Sequence, residues 1–188
     1  MLLRTDRLLL RPFELRDADD VWAYRRLPEV VRHMLVEARD RDGAAVGVRR
    51  MMAETEIGPD GGVVTFAVVL PERDTVIGEV SLVVRSAVHR CGEIGYVFHP
   101  DHQGKGLASE ASNELLRLGF EDLGLRRVYG MCSAQNAASA RLMERLGMRR
   151  EAHFIGSRWA KGTWRDELVY AILADEWRLR RSRLRRSR

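Results

Sequence analysis

The stretch Tyr96-Val97-Phe98-His99-Pro100-Asp101-His102-Gln103-Gly104-Lys105-Gly106-Leu107-Ala108 decides the fold. An apolar, strand-like run ends at Pro100, a polar turn follows, and a glycine-rich stretch opens a segment with helical spacing. In that segment Leu107, Ala111, Leu115, Leu118 and Leu123 recur along one face. The first N–H groups of a helix have no partners inside it and lie at the positive end of its dipole. Gly104 and Gly106 let the backbone approach an anion closely, and a pyrophosphate is the natural guest. An ordinary strand-to-helix turn is the plain alternative. A G-x-x-x-x-G-K-[ST] loop is absent, and a G-x-G-x-x-G reading would put its third glycine at Ser109. Nor do residues Val128 to Gln135 offer the acid that holds a dinucleotide's ribose.

Working outward, Gly92 to His99 reads as the strand before this loop and Arg127 to Ser133 as the strand after its helix. A strand–helix–strand unit requires a right-handed crossover and a parallel pair. Val63 to Leu70 and Val76 to Val84 are apolar, β-branched runs around Pro71-Glu72-Arg73-Asp74, which predicts an antiparallel hairpin. Met148 to Trp159 and Trp164 to Leu173 form a second pair about Lys161-Gly162, after a helix over Ala137 to Leu146 that stops at Gly147. Near the start, Leu8 to Phe13 reads as a strand. Asp17 to Asp20 reads as a helix start, with Trp22, Leu27 and Val30 as apolar contacts, and Ala44 to Ile57 as a further helix. The fold class is α/β, with a mixed sheet and flanking helices.

The chain has 188 residues, of which 45% are hydrophobic and 31% charged. That suits one domain with a sizeable core. No apolar run reaches the roughly 20 residues that span a bilayer. Arginines interrupt the short apolar stretches of the N-terminus, unlike a signal peptide. A cytoplasmic protein without membrane contact is the expectation. Cys91 and Cys132 are too few for a disulfide framework or a zinc site, so no metal is expected. Seven arginines lie beyond Trp177 with no acid among them; removing these seven from a net charge of +5 leaves −2. The organisation predicted is a single domain over 1–177 and a basic tail over 178–188.

Gln103-x-x-Gly106-x-Ala108 resembles the pyrophosphate signature Q/R-x-x-G-x-G/A of the GCN5-related N-acetyltransferases. Asn136-Ala137-Ala138-Ser139 followed by Leu146-Gly147-Met148 is similar to that family's second CoA-contacting helix. The opening Thr5-Asp6-Arg7-Leu8-x-Leu10-Arg11 and the closing Gly162, Asp166, Tyr170 and Glu176-Trp177 look like the branch that acetylates ribosomal-protein N-termini. The resemblance spans nearly the whole chain. It implies a central sheet splayed between Gly92–His99 and Arg127–Ser133, with the pantetheine arm of acetyl-CoA in the gap. The backbone of Val97, Phe98 and His99 would pair with that arm. Gln103, Gly104, Lys105, Gly106, Leu107 and Ala108 would hold the pyrophosphate, and Asn136 and Ser139 would contact the arm.

Transfer to an amine needs the free base of an ammonium, whose pKa is about 10.4 for an alkyl amine and about 7.7–8.0 for a protein N-terminus. A general base is therefore expected. Glu93 is the first candidate, sharing a strand face with Gly95, Val97 and His99. Glu79 is second, and His99 and His102 flank the loop. For the acid, the tyrosine that the family often carries after the Asn motif is Met143 here, and a thioether cannot donate a proton. Ser139 can donate through its hydroxyl. Asn136 suits either the pantetheine arm or a helix cap. A strand thiol such as Cys132 is ordinarily packing. Trp159 and Trp164 read as core or as walls of an acceptor site. The function implied is acetyl transfer from acetyl-CoA to a small amine or a protein N-terminus, with a homodimer and weak ribosomal RNA contact through the tail compatible with it. Two rivals are a non-catalytic acyl-CoA sensor on the same fold and a nucleic-acid binder using the arginines.

Overall fold

The computed structural model describes residues 1–186. Nine strands form one sheet in the order β1 (Leu3–Arg4), β2 (Leu9–Arg11), β4 (Gly61–Leu70), β5 (Thr75–Ser86), β6 (Cys91–Phe98), β7 (Arg127–Ser133), β9 (Thr163–Leu173), β8 (Arg149–Ala160), with β3 (Thr55–Gly58) beside β4. Every pairing is antiparallel except β6 with β7. That parallel pair, with the helix after the loop between its strands in the chain, is the one expected from the sequence.

Each sheet face has its own core. On one face α1 (Ala18–Arg25), the short α2 (Pro28–Val31) and α3 (Arg41–Ala53) lie near Phe13, Val21, Tyr24, Val48, Met51, Ala67, Val69 and Val76. On the other, α4 (Leu107–Arg117), α5 (Ala137–Arg145) and α6 (Ala174–Arg186) cover a larger cluster that includes Val80, Leu82, Ile94, Leu115, Leu116, Val128, Met143 and Ile172.

Several expectations near the N-terminus are corrected. The helix read over Ala44 to Ile57 begins at Arg41, where the Asp40 carboxylate caps it by accepting from the Gly43 N–H at 2.8 Å, and ends at Ala53. Thr55 to Gly58 is instead β3, because Gly61 and Gly62, both at positive φ, turn the chain back against it. The core face of α1 is Val21, Tyr24 and Arg25, not Trp22, which lies beneath the Arg26 and Arg41 guanidinium groups. The helix start read over Asp17 to Asp20 stands, with Asp17 just before α1; its carboxylate bonds not the helix but Arg11, in a buried two-pronged pair at 2.7 and 2.8 Å.

The boundary expected after Trp177 falls inside α6. Arginine and leucine are good helix formers, so a run of them prolongs the helix that Asp175 and Glu176 start. Trp177 packs on Phe120, the Arg181 guanidinium lies over the Trp177 ring and pairs with Glu121, and Arg180 donates to the Arg145 carbonyl at the end of α5. Deleting residues 178–188 is therefore expected to cost about 2 kcal/mol, the scale of one charged hydrogen bond plus an exposed cation–π contact. In a domain of this size that is a fall of about 4–8 °C in Tm. Acetylation of a small amine should persist. A folded truncate with no turnover would place the tail in the active site.

Candidate active site

The sheet opens where the sequence places its pyrophosphate loop. β6 and β7 pair only at Cys91–Glu93 with Arg127–Tyr129, while β6 continues to Phe98 and β7 to Ser133. Beyond Glu93 the two strands separate, and a cleft of 1310 Å³ runs through the gap, reaching residues of both faces.

At one mouth of the cleft the chain turns into α4. Gly106 is the residue before the helix, with φ +80° and ψ −3°, and Gly104 has φ +73°. Both conformations are left-handed, which a residue with a Cβ adopts only at a cost. Among the described residues the N–H groups of Gly104, Lys105 and Gly106 have no protein partner. Those at the start of α4 are unpaired by helix geometry. Leu107 and Ala111 anchor the helix in the core. The Lys105 side chain folds back to the Asp101 carbonyl at 2.7 Å, and Gln103 donates to the Phe98 carbonyl at 3.2 Å. Both side chains brace the loop, and backbone groups are left to face the mouth. Arg7 holds the far side, bonding the Lys105 carbonyl and Glu110.

Strand parity corrects which backbone groups face the gap. The His99 N–H is taken by the Ile77 carbonyl of β5 at 2.9 Å. Alternation then turns Val97 toward β5 as well, and leaves the N–H groups of Tyr96 and Phe98 and the Tyr96 C=O directed into the opening, the Phe98 C=O being taken by Gln103. Of Val97, Phe98 and His99, only Phe98 presents its backbone to the gap, and Tyr96 joins it. The His99 ring accepts from the Asp101 N–H at 3.2 Å, so it serves the turn. Burial, with Lys105 nearby, lowers the pKa of His102.

The second helix meets the cleft through Asn136 and Ser139. The Asn136 side-chain oxygen caps α5 by accepting from the Ser139 N–H at 3.1 Å, which leaves its amide nitrogen available. Ser139 Oγ lies 2.7 Å from the Tyr96 hydroxyl, which also donates to the Ser139 carbonyl at 3.2 Å. Burial pushes the Tyr96 pKa up to about 12, so the phenol keeps its proton throughout the neutral range. Tyr96 was not singled out from the sequence as a donor. Its parity was the available signal: even-numbered β6 residues face α5, and a tyrosine among them meets the helix that carries Ser139. Met143, in the family's tyrosine position, is buried in the core. Burial also raises the Cys132 thiol, which disfavours a thiolate nucleophile.

The opposite face brings together Glu79, Ser81, Glu93, Gly95 and Val97. Glu93 sits on the last paired rung, across from Tyr129. Its Oε2 accepts from Arg85 and from the Tyr129 hydroxyl, each at 2.9 Å, and its Oε1 has no partner among the described residues. Glu79 is more deeply buried and has both oxygens engaged, one by Tyr24 at 2.8 Å and the other by Arg25. Trp159 and Trp164 are neither core nor cleft wall; they pair with each other, exposed, at the β8–β9 hairpin tip.

The family model for the acetyltransferase (GNAT) domain matches residues 7–149, and the chain belongs to that family. It is 33% identical to the uncharacterized N-acetyltransferase YnaD of Bacillus subtilis (strain 168), over 94% of this chain and 99% of the relative. A GNAT-family acetyltransferase structure from Bacillus anthracis superposes with a TM-score of 0.83 at 30% identity, covering 93% of this chain and 99% of the other. The fold is shared too with the spermidine N-acetyltransferase of Vibrio cholerae solved with CoA and spermine, at a TM-score of 0.76 and 22% identity, over 92% of this chain and 99% of that one. The protein is thus an acetyltransferase.

Proposed function

We propose that the protein transfers an acetyl group from acetyl-CoA to a primary amine, a small amine or a protein N-terminus, by direct attack and without a covalent enzyme intermediate. The observation that carries this reading is the helix start forced open by Gly104 and Gly106 at one mouth of a cleft whose other side holds Glu93 with a free oxygen. Unpartnered N–H groups from Gly104 to Ala108, at the positive end of α4, suit the pyrophosphate. The exposed backbone of Tyr96 and Phe98 suits the amide-bearing arm, with Asn136 Nδ2 beside it.

In the transfer, the amine nitrogen bonds to the thioester carbon, the C–S bond breaks, the nitrogen loses a proton and the sulfur becomes a thiolate. An N–H of β6 aimed into the gap stabilises charge on the carbonyl oxygen. Oε1 of Glu93 takes the amine proton, directly or through water. The Tyr96–Ser139 pair stands on the thiolate side. A thiol's usual pKa, about 8.5, is well below that of Tyr96. The phenol therefore keeps its proton and, turned from the Ser139 carbonyl, gives the leaving sulfur a hydrogen bond while the sulfur takes its proton from water.

The placement of acetyl-CoA is tested by Gly106→Val. A Cβ there meets only the end of Arg7 at 3.5 Å, so space is not the obstacle. The left-handed backbone is: a side chain in it costs about 1–2 kcal/mol, and a branched one more. Calorimetry should show acetyl-CoA affinity reduced about tenfold or further, since 1.4 kcal/mol is tenfold. Unchanged affinity in a folded variant removes the loop from the binding site.

A further inference from the structure

The amine side of the cleft carries cations that no carboxylate among the described residues neutralises. The acids of this region are nearly all matched: Glu79 by Arg25, Glu93 by Arg85, Glu167 by Arg158, and Asp166 by His153 and the Gly156 N–H. Arg165 differs. It lines the cleft, and among the described residues no carboxylate pairs with it. Its Nη1 donates to the Arg32 carbonyl at 3.0 Å, while its Nε is buried without a partner. His33 Nδ1, in the same wall, is also buried and unpartnered. Arg165 stands directly opposite Arg158 in the β8–β9 register, and like charges on opposed residues of a strand pair repel. Among the described residues Arg32 and Arg39 add two more cleft cations without carboxylate partners, while of the cleft acids Glu29 alone has no cation partner.

A purely structural role explains little of this. Arg165 and Lys161 hold the last carbonyls of the α2 region, Arg32 O and Val31 O. That role uses one guanidinium nitrogen. It gives no reason for a buried, unpaired Nε, for an orphaned His33 nitrogen beside it, or for a second arginine across the strand. Buried donors and charges without partners are costly. An anionic ligand in the cleft supplies the missing countercharge, and the guanidinium fork matches two oxygens of a carboxylate or phosphate.

We propose that the acceptor is an amine whose skeleton also carries an anionic oxygen group, carboxylate or phosphate, seated on Arg165 with Arg158 and His33 beside it. The inference rests on the amine-acetylation reading above. A polyamine would bring a second ammonium to this wall, so the acceptor class departs from that of the spermidine enzyme that shares the fold.

The test compares amines differing only at the distal end: 5-aminopentanoate, 5-aminopentylphosphonate, pentylamine and 1,5-diaminopentane, together with Ser-Asp-Ala and Ser-Lys-Ala peptides. CoA release gives kcat/KM for each. The anionic member should exceed its neutral or cationic match by about tenfold or more, the scale of one charge-assisted contact. Arg165→Met should erase that preference by lowering kcat/KM for the anionic members toward that of pentylamine, and its thermal unfolding beside the parent's shows the variant to be folded. Arg165→Lys should keep part of the preference. The carboxylate and phosphonate arms separate the two anions. Equal or better use of the diamine or the Lys peptide overturns the proposal while leaving amine acetylation standing, as does a preference that survives Arg165→Met. No CoA release with any amine overturns both.

Discussion

Glu93→Gln is expected to lower turnover about 10²–10⁴-fold, the usual contribution of a general base, and to leave acetyl-CoA binding unchanged. The substitution keeps the size of the side chain and an oxygen that can still accept from Arg85 and Tyr129, so the sheet edge should hold. What it removes is proton acceptance at Oε1, which no described residue occupies. Because the substrate arrives as an ammonium below its own pKa, the loss should be largest at low pH and shrink as pH rises past that value. Steady-state rates on parent and variant across pH decide the matter. A large loss that stays constant with pH makes Glu93 a positioning residue, holding the acceptor through charge. A drop of under about threefold at neutral pH, with chemistry rate-limiting, is too small for a general base and moves the proton to bulk water or Glu79.

The sheet was legible from β4 onward because there the sequence changes period cleanly. β-branched runs bounded by turn residues give β4, β5, β6 and β7, and the Gly104/Gly106 spacing marks the start of α4. The N-terminal region was less legible for a definite reason. β3 is four residues, mostly exposed, and it exists through pairing with β4, a contact that local propensity does not encode. The site divides in the same way. Glycines forced into left-handed conformations are visible as glycines, so the loop could be read. Which backbone groups face the opening depends on strand parity, set by the His99–Ile77 bond, and that parity transfers the role from Val97 and His99 to Tyr96. The Arg158–Arg165 opposition follows from the turn at Lys161-Gly162, but the pairing of β8 from Phe154 back to Arg149 was out of reach, because the register shifts between Phe154 and Arg158. There Gly156 adopts φ +55° and the Asp166 carboxylate accepts from its N–H at 2.8 Å. A bulge of that kind reassigns every partner beyond it.

Glu79→Gln should act chiefly on stability, with a loss of about 3–5 kcal/mol, the usual cost of stranding one member of a buried ion pair. The Glu79 and Arg25 side chains are only 11% and 10% exposed, so neither charge is well solvated. Tyr24 completes the cluster: its hydroxyl donates to the same carboxylate, and burial first, then the Glu79 charge, raises its pKa well above the usual tyrosine value. The phenol is thus held as a donor, and an amide in place of the carboxylate leaves Arg25 as an uncompensated buried cation beneath α1. Thermal unfolding should show Tm lowered by about 6–20 °C. The double variant Arg25→Met, Glu79→Leu should recover part of that loss: apolar groups of similar volume replace a buried pair at little net cost, while the Tyr24 hydroxyl is left without its acceptor. Its turnover then separates the two acids. If the double variant is stable and acetylates a small amine at a rate near the parent's, Glu79 holds α1 to the sheet and Glu93 keeps the proton-accepting role. If it is stable and inactive while Glu93→Gln retains its rate, the base is Glu79, and Glu93 serves to fix Arg85 and Tyr129 at the point where the sheet divides.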